Sequence, residues 1–235
     1  MLSKSDMSRI ADRRNRLERR KRELEAAEEE RAKRAGQRVP IDPRWVSYQI
    51  RQTLEPESLL IDDALSNSGT LRSYNCRSLP NTYFRRCGSS GGWGVGAAVG
   101  AKLAKPDSDV VLATGDGFFM FGSPLEALWG SSHHKAPFLS VVYTNRSYST
   151  GTSGARSMYP KGNMAGKGEY IGGVFDPPPD FAKLAESVNG YGETVNQPDQ
   201  VGPALRRGLE QVRKGHPAVI SIWLPTHVEE MEMAD

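Results

Sequence analysis

From residue 58 onward, short apolar runs alternate with segments of helical pattern, and that alternation leaves few folds open. The runs DVVLATG (109–115), PFLSVVYTN (137–145) and PAVISIWLP (217–225) are β-branched and too short to be buried helices, so they read as strands. SLLIDDA (58–64) is a shorter strand ending in acids, SNSGT (66–70) is a turn after it, and NTYFRRC (81–87) is a further strand. Between them, residues 88–107 begin Gly-rich and become a small-residue helix. SPLEALWGSSHH (123–134) is a helix with Ser123 as cap and Pro124 at its first position. Residues 180–192 and 198–216 are expected as helices. Strand–helix–strand repetition implies crossover units and an α/β fold, a parallel sheet sandwiched by helices. Ligands of such sheets bind outside the carboxyl ends of the strands.

Residues 6–36 read as one long helix rich in Ala, Glu, Arg and Leu, with a thin seam of Ile10, Leu17 and Leu24. Such a seam suits docking on a partner or on the body of the protein. Asp42 and Pro43 open a second helix that runs to about Leu54. Residues 1–38 are therefore expected to form a charged arm and residues 39–235 one α/β domain. The arm holds 13 Lys and Arg against 8 Asp and Glu; the other 197 residues hold 18 against 20. Its charges alternate in sign at i,i+4, as in Arg19/Glu23, Lys21/Glu25 and Glu29/Lys33, and no aromatic residue is available to stack on a base. That pattern describes a solvated helix, not a nucleic-acid-binding stripe. No run of 18 apolar residues exists, so no membrane span is expected, and the first residues lack the apolar core of a signal peptide. Cys76 and Cys87 have no metal or redox spacing, which fits a reducing cytoplasm.

Two strand ends carry chemistry. Gly115-Asp116-Gly117 closes one strand and Asn145 closes the next. An Asp carboxylate, an Asn amide oxygen and a loop carbonyl are hard oxygen ligands that suit Mg²⁺ or Ca²⁺ bridging to a diphosphate. The glycines let backbone N–H groups approach phosphate oxygens.

GDGFFMFGSPLEALWGSSHHKAPFLSVVYTNRSY (115–148) resembles the thiamine-diphosphate motif of the acetolactate synthase, benzoylformate decarboxylase and 2-hydroxyacyl-CoA lyase superfamily, which begins with GDG and ends in Asn. The segments before and after it are similar as well, over about residues 40–226. The resemblance implies that Asp116 and Asn145 hold Mg²⁺ with their side chains and Ser147 with its carbonyl. It implies further that Gly115, Gly117 and Phe118 border the diphosphate, that Ser66 and Asn67 bind its far phosphate, and that Ser89, Ser90, Gly91, Gly92 and Trp93 line the aminopyrimidine. Residues 146–168, with Tyr148, Arg156 and Tyr159, would fold over cofactor and substrate.

Three departures stand out. Gly91 occupies the place of a bulky residue that the family sets under the cofactor, leaving Trp93 or a partner residue to compensate. Thr144 precedes Asn145 where a second Asn is common. The glutamate with which a pyrimidine-binding domain activates the cofactor has no counterpart here. The resemblance therefore implies a split enzyme that cleaves a C–C bond next to a carbonyl, of 2-hydroxyacyl-CoA lyase or 2-oxo-acid decarboxylase type. A second subunit would carry the pyrimidine-binding and middle domains, in an α2β2 or larger hetero-oligomer. An acetolactate-synthase-like carboligase and a non-catalytic scaffold are the alternatives.

Overall fold

The computed structural model describes residues 3–88, 90–168 and 172–226. Its centre is a six-stranded sheet of β1 (Leu59–Asp63), β2 (Tyr83–Arg85), β3 (Val110–Gly115), β4 (Leu139–Thr144), β5 (Tyr191–Val195) and β6 (Ala218–Trp223), in the order β2-β1-β3-β4-β6-β5. Every pairing is parallel. The helices are α1 (Lys4–Ala35), α2 (Pro43–Thr53), α3 (Ser68–Tyr74), α4 (Trp93–Ala104), α5 (Asp116–Phe121), α6 (Pro124–His133), α7 (Ser149–Met158), α8 (Asn163–Lys167), α9 (Phe181–Glu186) and α10 (Pro198–Arg213). The α/β class expected from the alternation is the one observed.

The strands are apolar on both faces because helices cover both. Leu60, Val111, Ala113, Leu139, Val141, Tyr143, Ala218, Ile220 and Ile222 point into one core with α2, α3 and α10. Their strand neighbours Leu59, Ile61, Val110, Leu112, Val142 and Val219 point into the other, with α4, α6 and α9. The period of two thus divides each run between two layers. Two pairs of buried hydroxyls satisfy one another: those of Thr144 and Ser221 lie 2.9 Å apart, as do those of Ser47 and Tyr143.

Four local expectations are corrected. The SNSGT turn is a 3-10 turn (Leu65–Asn67) running into α3, because Asp62 Oδ1 accepts from the Ala64 N–H and the Ser68 hydroxyl and winds the chain. Ser123 makes no side-chain cap; it adopts φ +51°, since Gly122 closes α5 onto the Phe118 and Phe119 carbonyls and the residue before a proline avoids the right-handed region. The helix expected over 180–192 ends at Glu186, where Asn189 turns left-handed at φ +59°, and residues 191–195 form the edge strand β5. That strand is half-exposed and carries Gly192 and Glu193, so it has little strand signature; a Cβ on Gly192 would collide with the Ala182 carbonyl. The helix α5 was not anticipated at all.

The long helix α1 ends as expected, but only Ala32 and Ala35 on it are buried. Its C-terminal end docks through the Tyr74 hydroxyl on the Glu28 carbonyl and an Arg51–Glu25 ion pair. Leu17 and Leu24 remain 64% and 50% exposed, so the seam does not pack on the body. No helix among the described residues is long and apolar enough to cross a membrane.

Candidate cofactor and metal site

Parallel pairing aligns the carboxyl ends of β1, β3 and β4, and a cavity of about 410 Å³ opens over them. Its lining includes Ser66, Asn67, Gly115, Asp116, Gly117, Phe118, Asn145, Ser147 and Tyr148. Nine residues singled out from sequence thus meet on one surface although they come from three separate stretches. Ser90, Gly91, Gly92 and Trp93 do not line it; they sit at the start of α4, where Gly91 backs the Phe118 ring. Ser89 lies outside the described residues. Arg156 and Tyr159 of the covering segment also stay off the cavity.

Asp116 is buried, and burial pushes its carboxyl up to about 6 against the opposing pull of the Arg146, Gly117 and Asn145 N–H groups. Its Oδ2 accepts from Arg146 N at 2.6 Å and its Oδ1 from Gly117 N at 2.8 Å. The Asn145 amide is oriented at both ends: Oδ1 accepts from Ser147 N at 3.1 Å, and Nδ2 donates to Ser149 Oγ at 3.0 Å. Asn145 Oδ1 also accepts from the Ser147 hydroxyl at a longer 3.4 Å. The three donors are all hard oxygens, the chemistry Mg²⁺ prefers. No cluster of three His, Cys, Asp or Glu exists among the described residues, so a cation here depends on amide and carbonyl oxygens beside the one carboxylate. The site residues therefore fit a divalent cation.

The walls are built as deliberately. Tyr148 is stacked on Phe121 and meets Phe175 edge-on, and a Cβ on Gly117 would fall 2.6 Å from its ring. The glycine is thus required by the close approach of the Tyr148 ring, a reason distinct from the phosphate approach expected of it from sequence. On the β1 side, Asp62 takes three donors, Ala64 N, Ser68 Oγ and Tyr83 Oη, and so fixes the turn that presents Ser66 and Asn67.

Asp63 has a different task. Its buried Oδ2 accepts from Gly92 N at 3.0 Å and Gly94 N at 3.1 Å, closing the N-terminus of α4. Burial raises this carboxyl from 3.8 to about 6, opposed by those N–H groups and by Arg86. The folded protein holds the Asp63 proton more tightly than the unfolded chain does. Stability from this group is therefore complete below about pH 4 and is lost as pH rises to about 6, a change of about 3 kcal/mol. Asp63→Asn is expected to flatten the rise in urea sensitivity across that window. Equal pH slopes for the two proteins would refute the assignment.

Sequence reasoning missed Ala64, Leu65, Arg86, Tyr143, Ser149, Thr150 and Gly151 on the cavity. Ser149 had a signal, since it lies four residues after Asn145 at the start of a helix. Arg86 had none, because it reaches the site from the edge strand.

Comparison with known proteins agrees with this geometry. Residues 66–222 match the family described as thiamine pyrophosphate enzyme, C-terminal TPP binding domain. The chain belongs to this family of thiamine pyrophosphate (thiamine diphosphate) enzymes. It is 30% identical over 207 residues to a probable acetolactate synthase of Mycobacterium bovis, covering 85% of this chain and 34% of that protein. It is 28% identical over 188 residues to 2-hydroxyacyl-CoA lyase 2 of Mus musculus, covering 77% and 28%. Among solved structures, a thiamine diphosphate-dependent 4-hydroxybenzoylformate decarboxylase of Rhodococcus jostii superposes with TM-score 0.69 at 23% identity, covering 80% and 33%. A benzoylformate decarboxylase of Polynucleobacter necessarius does so at 0.67 and 19%, covering 80% and 34%. These two share the fold. The chain spans about a third of the length of the curated relatives it matches.

Proposed function

We propose that this chain is the diphosphate- and Mg²⁺-binding part of a thiamine-diphosphate-dependent lyase or decarboxylase. The observation that carries the reading is the meeting of Asp116, Asn145 and Ser147 with Ser66 and Asn67 over one cavity at adjacent strand ends. Asp116, Asn145 and the Ser147 carbonyl would hold the cation, and Ser66, Asn67, Gly117 and Phe118 would border the diphosphate. When bound, thiamine diphosphate supplies the electron sink for cleaving a C–C bond next to a carbonyl. Tyr148 shields the diphosphate side from water. The substrate is a 2-oxo acid or a 2-hydroxyacyl-CoA compound. The 30% identical acetolactate synthase relative favours a carboligase as the second reading.

Asp116 is the one carboxylate among the described lining residues, and its place in the cation site leaves no acid for the pyrimidine end. A pyrimidine-binding domain on a second polypeptide is the source we propose, in an α2β2 or larger assembly with residues 1–38 as docking arm. The two exposed free cysteines suit the cytoplasm. The test is aldehyde release from 2-oxo acids and 2-hydroxyacyl-CoA compounds, with thiamine diphosphate and Mg²⁺, by this chain, by its partner and by both. Turnover is expected only in the mixture; full turnover by this chain alone would exclude the second subunit. Because Leu17 and Leu24 are exposed, removing residues 1–24 is expected to leave the melting temperature within ~2 °C and to weaken the complex by about tenfold or more. Unchanged affinity in analytical ultracentrifugation would remove the docking role.

A further inference from the structure

The two halves of α1 differ in charge and in surroundings. Among the described residues, polar contacts tie the helix to the body only from Glu25 onward, through Arg51 and through the Tyr74 hydroxyl on the Glu28 carbonyl. From Met7 to Leu24 every residue is exposed except the half-buried Ile10. Residues 9–22 hold eight Lys and Arg against Asp12 and Glu18, whereas residues 23–30 hold five Glu and no base. The pairs Arg19–Glu23, Lys21–Glu25 and Glu29–Lys33 all form, and each draws on that acidic block. Upstream the acids run out. Arg13, Arg14, Arg16 and Arg22 make no ion pair among the described residues, and Arg9/Arg13 and Arg16/Arg20 set like charges at i,i+4. Such like-charge pairs work against the helix that carries them.

The apolar seam lies inside this basic field. Side chains three and four residues apart are neighbours on a helix surface, so Leu17 is bordered by Arg13, Arg14, Arg20 and Lys21. Met7 and Leu24 extend the stripe at either end, and both are exposed. Residues 7–24 span about 27 Å at the helical rise. Three occupants fit this stripe poorly. A phosphate backbone would meet the arginines and leave Leu17 and Leu24 in water. A bilayer needs an apolar face about 100° wide, and this one is a single residue wide. A second copy set antiparallel, with Leu17 opposite Leu24, brings residues 19–22 of both helices together; set parallel, it opposes the whole basic stretch to itself. A protein groove with an apolar floor and carboxylates along its rims meets the leucines and the arginines at once.

We infer that the free half of α1 docks through this stripe into an apolar groove rimmed by Asp and Glu on the second subunit. This deepens the docking role proposed above and rests on it. The arginines steer the encounter and set the orientation, and Leu17 and Leu24 supply the buried contact.

The experiment is analytical ultracentrifugation of the full chain with the second subunit at two salt concentrations. Wild-type affinity is expected to fall at least about fivefold between about 50 and about 300 mM NaCl, because salt screens exposed charges. Arg13→Gln with Arg20→Gln is expected to lose about tenfold at low salt and to flatten the salt dependence, while Arg13→Lys with Arg20→Lys retains both. Leu17→Ser with Leu24→Ser is expected to lose about tenfold at either salt. Circular dichroism of each variant checks that α1 stays helical. Affinity indifferent to salt and to the arginine changes would overturn the inference, as would full affinity in the doubly serine-substituted chain. A DNA duplex of about 20 bp is titrated alongside; binding tighter than that of the second subunit and unaffected by the leucine changes would also overturn it, because the stripe would then serve nucleic acid. Turnover by the mixture, with a complex indifferent to all these changes, keeps the split enzyme and removes the docking site. A complex lost with the arginines and leucines, from a mixture without turnover, keeps the docking site and removes the split enzyme.

Discussion

Asp116→Ala is expected to lose the proposed Mg²⁺-dependent thiamine diphosphate binding by at least about 100-fold, yet to melt within a few degrees of the wild type. The loss follows from the donor set. Asp116 is the sole charged oxygen beside Asn145 and the Ser147 carbonyl, and two neutral donors hold a well-hydrated cation poorly. Changing a residue that only orients a ligand already costs about 10–100-fold in metal affinity, so removing the ligand itself costs more. Stability changes little because the side chain's partners are the N–H groups of Arg146 and Gly117 at the rim of a cavity that water can enter. Calorimetric titration and thermal melts of the same preparations check both halves. Unaltered cofactor affinity would move the cation away from Asp116.

Phe119→Ala gives the opposite pattern. Phe119 is fully buried, one residue beyond the site-bordering Phe118, and meets the Phe181 ring edge-on at 5.5 Å. It anchors α5 to α9 within the second core. Truncating such a ring removes its transfer energy and leaves a cavity, together about 3–5 kcal/mol. For a chain of this size that is a fall of roughly 10 °C in melting temperature. At temperatures where the variant is folded, cofactor affinity is expected to fall by less than about tenfold, since β3 still places Asp116. A melting temperature within ~2 °C of wild type would mean that the core does not hold α5. Together the two variants separate what binds from what supports.

The parts of this molecule legible in its sequence are those where one physical demand dominates. VVLAT and FLSVVYT (110–114 and 138–144) must be strands because both faces are buried, and Asp42-Pro43 must start a helix because its cap and its φ agree. The Tyr148 ring that excludes a side chain at Gly117 was not legible. What escaped depends on tertiary partners. Strand β5 is made by pairing to β6 and by the Ala182 carbonyl that excludes a side chain at Gly192, not by the propensity of YGETV. Ser123 is left-handed because α5 ends immediately before it. Arg86 joins the site through sheet order, which places β2 beside β1. At Gly91 the Phe118 ring occupies the space a larger residue would take. That Asp116 and Asn145 share one cavity was legible because consecutive parallel strands end at the same edge of the sheet.

The central claim is that this cavity takes the diphosphate of thiamine diphosphate through a divalent cation. Its most direct test is calorimetric titration of thiamine diphosphate into the chain, alone and mixed with the proposed pyrimidine-domain subunit, first with Mg²⁺ and then with EDTA. Binding is expected to require Mg²⁺, to disappear in Asp116→Ala and to be tighter in the mixture. Binding that survives both EDTA and Asp116→Ala, or no heat from either preparation, would contradict it.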